Sequence, residues 1–182
     1  FARLPKPVFR PEDALDLTRQ SLFLQEVGHS DIDYRLSGDI EGPIRIQCDR
    51  HQFGQALTNV LKNAAEAVEA EAARSSAPDY RGRIDVAIEA GPDSISVAVE
   101  DNGVGIAAQD FDRIFEAFTQ IEDADDRAEG GTGLGLAICK KLALAHGGDI
   151  TVKSTLGQGT IFTVFIPGAT QMAEPATLAR AS

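Results

Sequence analysis

Two glycine stretches constrain this chain more than anything else in it. They are Asp101-Asn102-Gly103-Val104-Gly105-Ile106 and, further on, Gly130-Gly131-Thr132-Gly133-Leu134-Gly135-Leu136. Glycine carries no Cβ penalty at positive φ and lets a backbone come into contact with a ligand. Glycines at alternate positions 131, 133 and 135, running into Leu136-Ala137-Ile138-Cys139-Lys140-Lys141-Leu142, predict a bare loop feeding a helix N-terminus. Such a loop turns unpaired N–H groups and the positive end of the helix dipole toward an anion, and phosphate is the usual one. One cluster of this kind is as readily an ordinary turn. Two of them, with an asparagine-bearing helix upstream, argue for a phosphate ligand.

The chain has to hold that anion against its own charge. With 17 Lys+Arg against 28 Asp+Glu, the formal net charge is −11. That balance argues against nucleic acid or an anionic membrane as a partner, since both reward clustered cations. A polyphosphate is therefore expected to be held locally, by backbone N–H groups, one or two cations and a metal. No run of about eighteen apolar residues occurs, so no spanning helix is expected. Phe1-Ala2-Arg3-Leu4-Pro5-Lys6-Pro7 lacks the apolar core of a signal peptide and no Met begins the chain, which reads as a piece of something longer. The 182 residues, 43% of them hydrophobic, suffice for one domain with a substantial core. Cys48 and Cys139 stand apart without C-x-x-C spacing, so buried reduced thiols are expected rather than a disulfide or zinc site.

Residues 1–11 hold Pro5, Pro7 and Pro11 and read as an extended linker. Residues 12–27 suit an amphipathic helix closed near Gly28. Period-two alternation over 32–36 and 44–48 predicts two half-buried strands joined by turn chemistry at Gly38-Asp39 and Gly42-Pro43. Asp49 is a candidate N-cap for a long helix to about Ala72. On its wheel Phe53, Ala56, Leu57, Val60, Leu61, Ala64, Ala67 and Val68 share one face, and Gln52, Gln55, Asn59, Lys62, Asn63, Glu66 and Glu69 share the other. Residues 73–81 read as a surface loop. Ile84, Val86 and Ile88, then Ile95, Val97 and Val99, predict a hairpin across Gly91-Pro92-Asp93 that delivers Asp101 to a strand end. A short helix over 111–118, a helix from about Thr132 to His146, a second hairpin through Leu156-Gly157-Gln158-Gly159, and a disordered tail over 168–182 complete the expectation. The sum is an α+β two-layer sandwich, with about three helices covering one face of a mixed, mostly antiparallel sheet.

Asn59 and Asn63 stand one helical turn apart, with Lys62 and Glu66 beside them. Carboxamide oxygens are hard ligands, and Mg2+ favours few protein ligands plus phosphate and water, so one Asn facing a triphosphate is a sensible Mg2+ site. Most such stripes are merely solvated, but Asn is a poor interior helix residue and two in one stripe need a reason. Asp101 offers an acceptor for an exocyclic amine such as adenine's, and Gly103 and Gly105 would let a ring approach the backbone. An Asp-Asn-Gly turn is common, so this signal alone is weak. There is no G-x-x-x-x-G-K-[ST], and Leu136 stands where a dinucleotide motif needs its third glycine. His29, His51 and His146 read as surface or helix-end histidines, and no nucleophile triad is visible.

The order Asn59-Val60-Leu61-Lys62-Asn63-Ala64, Asp101-Asn102-Gly103-Val104-Gly105, Phe115-Glu116-Ala117-Phe118, Gly131-Thr132-Gly133-Leu134-Gly135 resembles the N, G1, F and G2 boxes of two-component sensor histidine kinases. The resemblance covers about residues 10–167. It implies the Bergerat ATP-binding fold shared with gyrase, Hsp90 and MutL-like ATPases, with ATP and Mg2+ as ligands. It implies Mg2+ on Asn63, Asn59 near the phosphates, and Asp101 on the adenine amine, with Gly103, Gly105 and Ile106 beside it. It also implies Phe118 and Gly131, Thr132, Gly133, Leu134 and Gly135 around the nucleotide, and about 111–131 as the ATP lid. Lys62 near the phosphates extends that likeness. Phe1 to Pro7 with Lys62-Asn63-Ala64-Ala65-Glu66-Ala67 looks most like the nitrogen-regulation NtrY type, whereas the long acidic stretch 119–130 is more like hybrid sensor kinases, and Phe-Glu-Ala-Phe replaces the commoner Phe-Glu-Pro-Phe.

No histidine here stands in the phospho-acceptor context of that family, so the acceptor is expected on a separate dimerisation domain, with a response regulator as indirect partner. The fragment itself is expected to be monomeric and cytoplasmic, from a membrane-bound parent. Two other readings stay open. A hydrolysing ATPase of the same fold would carry a general-base Glu one turn before the metal Asn, where Asn59 stands. A nucleotide-free partner-binding module would show no Mg2+-dependent affinity for ATP.

Overall fold

The computed structural model describes residues 3–117 and 133–171. Along the chain these form β1 (Arg10–Asp13), α1 (Ala14–Gly28), β2 (Asp33–Gly38), β3 (Ile44–Cys48), α2 (Arg50–Arg74), β4 (Arg83–Ala90), β5 (Ser94–Asp101), α3 (Gly135–Ala145), β6 (Asp149–Thr155), β7 (Gly159–Pro167) and β8 (Ala169–Gln171). The main sheet runs β2-β4-β5-β7-β6, parallel only at β2–β4 and antiparallel at its other junctions. A small antiparallel sheet, β1-β3-β8, lies beside it.

One face of the main sheet is apolar because the strands alternate. Ile84, Val86 and Ile88 of β4, Ile95, Val97 and Val99 of β5, and Phe162, Val164 and Ile166 of β7 are all buried. Onto them α2 lays Phe53, Ala56, Leu57, Val60, Leu61, Ala64 and Val68, while α1 and α3 contribute Leu15, Leu17, Cys139 and Leu142. Each fully buried Leu contributes about 1.5–3 kcal/mol of transfer free energy. This is the expected α+β sandwich. Both cysteines are buried free thiols, and burial pushes each up to about 12.

Caps set where α1 and α2 begin. Asp49 Oδ1 accepts from the Gln52 N–H at 3.0 Å, as its position before the apolar stripe predicts, and Asp13 does the same for α1 through Leu15 N–H at 3.0 Å. Gln52, assigned by the wheel to the polar stripe, is buried. Its Nε2 donates to the Pro5 carbonyl at 2.7 Å, a partner that helical spacing cannot reveal.

Four stretches differ from expectation. The start of α3 lies at Gly135 rather than Thr132, because Gly133 adopts φ +67°, outside the helical region. Residues 108–110 form a 3-10 turn and 111–117 a run of turns in place of a helix; Ile114 is buried, and Phe115 meets Phe162 edge-on at 6.3 Å. So short a helix is marginal without such contacts, and here the contacts pin the turns. Residues 10–11, read as linker, begin β1, and 169–171, read as tail, pair with Ile44–Ile46 as β8. Backbone pairing on both flanks of β3 overrides the weak strand propensity of these segments.

Candidate nucleotide site

One stripe of α2 organises the site. Asn59, Asn63 and Ala67 stand at i, i+4 and i+8, so the stripe spans about 12 Å along the helix. At its first end Asn59 Nδ2 donates to the Gly135 carbonyl at 3.1 Å, holding the first residue of α3 against α2. At its far end the Ala67 carbonyl accepts from Val104 N–H at 3.2 Å. The two glycine stretches therefore flank the same helical stripe, with half-buried Asn63 between them. Lys62 is exposed beside it and lies 3.8 Å from Glu66.

Asp101 ends β5 between Ile84 of β4 and Thr160 of β7. It is 4% exposed, and its Oδ1 accepts from Gly103 N–H at 2.9 Å. Burial pushes the carboxyl up to about 6; the Gly103 and Thr160 N–H groups pull it back and Glu100 pushes it further up. Among the described residues no cation pairs with it. A buried carboxylate with spare acceptor capacity rewards a ligand that brings an N–H donor, because the donor offsets part of the desolvation cost.

The 102–106 loop is stitched in on every side. Asn102 is structural: its Oδ1 accepts from Arg83 N–H and its Nδ2 donates to the Arg81 carbonyl, each at 2.8 Å. A Cβ at Gly103 would overlap the Ala67 carbonyl group of α2, and one at Gly105, at φ +71°, would meet the Thr155 carbonyl. These glycines thus let the loop close onto α2 and the β6–β7 turn, a demand for close approach that comes from the protein's own backbone. Ile106 N–H donates to Ser154 Oγ at 2.8 Å; Ser154 in turn donates to the Gly159 carbonyl at 2.9 Å and lies 2.8 Å from Thr160 Oγ1. Ser154 and Thr160 escaped sequence reading because alternation explains them as ordinary strand residues.

At the other end α3 starts without a side-chain cap: Leu134 precedes Gly135 and offers no oxygen to the first-turn N–H groups. Among the described residues no side chain caps the start of α3, which lies beside Asn59 with the positive dipole end behind it. Phe118, Gly131 and Thr132 lie outside the described residues. Away from this site, Lys140 lies 2.9 Å from Asp149 and 5.2 Å from the Phe115 ring centroid, fixing the turn that follows the 102–106 loop.

Residues 48–170 match the histidine kinase-, DNA gyrase B-, and HSP90-like ATPase family. This chain belongs to that family. Among its relatives, nitrogen regulation protein NtrY of Azorhizobium caulinodans is 35% identical over 178 residues, 96% of this chain and 21% of NtrY. Sensor histidine kinase RppB of Synechocystis sp. is 32% identical over 152 residues, 84% of this chain and 31% of RppB. This chain thus spans a third or less of the length of either relative. Among solved structures, the mycobacterial sensor histidine kinase MprB superposes with a TM-score of 0.71 at 30% identity, covering 91% of this chain and 100% of that one. Full-length ShkA in complex with AMPPNP superposes with a TM-score of 0.75 at 30% identity, covering 94% of this chain and 34% of ShkA. Within the family, then, this is an ATP-binding catalytic domain of the sensor histidine kinase type.

Proposed function

We propose that the domain binds Mg-ATP along the α2 stripe and presents the γ-phosphate to a histidine on a separate dimerisation domain, from which it passes to a response regulator. The observation that carries this is the span from Gly135 at Asn59 to Val104 at Ala67. Asp101 and the 103–106 loop take the adenine, with Asp101 accepting from its exocyclic amine. Gly133, Leu134 and Gly135, with Gly131 and Thr132 before them, face the phosphates at the start of α3. The family likeness adds Phe118 and a lid at about 111–131 to the site, and Lys62 stands at its rim.

Asn63 offers one neutral oxygen, which fits Mg2+, an ion that keeps waters and phosphate oxygens as its remaining ligands. When bound, the metal supplies charge neutralisation on the phosphates. The residues of this chain bind and orient, as phosphoryl transfer requires: the bond between the γ-phosphorus and the ADP oxygen breaks as a phosphorus–nitrogen bond forms. A hydrolase of the same fold needs a base where Asn59 stands, and Asn59 is committed to the Gly135 carbonyl. Resemblance to NtrY along nearly the whole chain supports an NtrY-type parent, which on the family likeness is taken to be membrane-bound with this domain in the cytoplasm. Among the described residues no helix is long and apolar enough to cross a membrane, and the domain is taken to be monomeric.

The test is transfer in trans. The chain is mixed with a separately prepared dimerisation domain and ATP labelled in its γ-phosphate. Acid-labile, base-stable label on that domain, lost with Asn63→Ala, is the expected result. Phosphate release without labelled protein would favour the hydrolase reading instead.

A further inference from the structure

The ends of α2 and α3 remote from the proposed nucleotide site form a second built contact, and it holds the chain's own N-terminal segment. Val8 N–H donates to Asp49 Oδ2 at 2.9 Å while Asp49 Oδ1 caps α2. The Pro5 carbonyl takes the buried Gln52 Nε2 at 2.7 Å, and Leu4 packs against the core. Phe9 meets the His146 ring edge-on at 5.2 Å, and Glu12 pairs with Arg50 at 3.1 Å. Residues 4–9 are thus bound largely by side chains, and residues 10–12 also by strand pairing with β3, so the segment is not merely attached by the chain.

His146 joins this contact to α3. It is 7% exposed, at the C-terminal end of α3; its Nδ1 donates to the Leu142 carbonyl at 2.8 Å, so Nε2 is the acceptor for Asp49 N–H at 3.1 Å. One residue, Asp49, therefore holds the segment through its carboxylate, the start of α2 through the same carboxylate, and the end of α3 through its N–H. The tie between Asn59 and Gly135 fastens the opposite end of α3 to α2. From Asp49 to Asn59 is about 15 Å of helix and from Gly135 to His146 about 16 Å, so α3 is fastened at both of its ends to the antiparallel first ten residues of the longer α2.

We propose that segment 4–12 is a coupling element, and that His146 is the positioning residue through which its docking at Asp49 is transmitted along α3 to Gly133–Gly135. The coupling rests on the nucleotide site proposed above. A segment that docks better when α3 is in its nucleotide-competent place must itself favour nucleotide binding, by the same factor in both directions. Whatever precedes residue 4 can then alter nucleotide affinity by pulling the segment off Asp49, without touching the site.

Val8→Pro deletes the N–H that Asp49 Oδ2 receives, at an exposed position already preceded by a proline, and thermal unfolding of the variant checks that the fold is kept. His146→Phe keeps a ring beside Phe9 but deletes the acceptor for Asp49 N–H; His146→Gln offers an oxygen at similar reach. Mg-ATP affinity is measured for the intact chain and each variant, and Val8 amide exchange is followed with and without Mg-ATP in the chains that keep Val8. The expected result is a loss of affinity of about fivefold or more in Val8→Pro and His146→Phe. Recovery is expected in His146→Gln, and exchange at Val8 should slow with Mg-ATP in the wild type but not in His146→Phe. Wild-type affinity in Val8→Pro, or Val8 exchange indifferent to Mg-ATP in a chain that binds it, overturns the coupling alone. Failure of the wild type to bind Mg-ATP overturns the nucleotide site and the coupling with it.

Discussion

Asn59 donates to the carbonyl of Gly135 at 3.1 Å, so the residue that opens α3 is positioned by an asparagine 76 places earlier in the chain. The start of α3 is consequently tied to the asparagine stripe of α2. Asn59→Ala removes the donor and leaves the carbonyl to solvent. It is expected to cost about 1 kcal/mol of stability, the net worth of one such hydrogen bond. It should also weaken Mg-ATP binding by more than that cost explains, since α3 loses its alignment. Urea unfolding and titration on the same variant separate the two effects.

Asp101 should make both stability and binding depend on pH. Its folded value of about 6 lies above the ordinary 3.8, so its contribution to stability is fully present below 3.8 and is lost as pH rises through 6. The loss amounts to about 3 kcal/mol between those limits. Asp101→Asn removes this dependence, so the stability difference between variant and wild type should shift in the variant's favour over that window.

Nucleotide binding should run the other way. An amine donated to Asp101 favours the carboxylate, so binding near pH 6 should release a proton and tighten as pH rises. Titrations in two buffers of different ionisation heat read the proton directly. Subtracting the same measurement on Asp101→Asn removes the phosphate's own titration.

Two glycines should respond oppositely to alanine. At Gly103 the new methyl would press on the Ala67 carbonyl and the Val68 nitrogen of α2, and a cost of about 1–3 kcal/mol is expected from overpacking against backbone. Gly54 lies within α2 with open space where its Cβ would be, so Gly54→Ala should stabilise by up to about 1 kcal/mol. Thermal unfolding of the pair checks both signs.

Where one-dimensional periodicity carries the information, the fold was legible. The α2 stripe, its Asp49 cap, the β4–β5 hairpin and the delivery of Asp101 to a strand end all follow from spacing and turn chemistry. Legibility fails where a residue answers to a partner far along the chain. Gln52 looks solvated on a wheel and is buried by Pro5; His146 looks like a helix-end histidine, and is one, yet it also receives Asp49 N–H. Ala169–Gln171 has no apolar pattern and becomes a strand only because β3 offers it an edge. At the site, the glycines at 103 and 105 announce close approach without saying to what, and the backbone of α2 and of the β6–β7 turn takes the space.

If the proposed function holds, Asp101 and Asn63 serve one Mg-ATP site on the α2 stripe. Calorimetric titration of this chain with ATP, with and without Mg2+, beside Asp101→Asn and Asn63→Ala, tests it most directly. Micromolar-range binding is expected, about −8 kcal/mol, abolished in Asp101→Asn and made insensitive to Mg2+ in Asn63→Ala. No binding by the intact chain, or binding by Asp101→Asn equal to wild type, would contradict it.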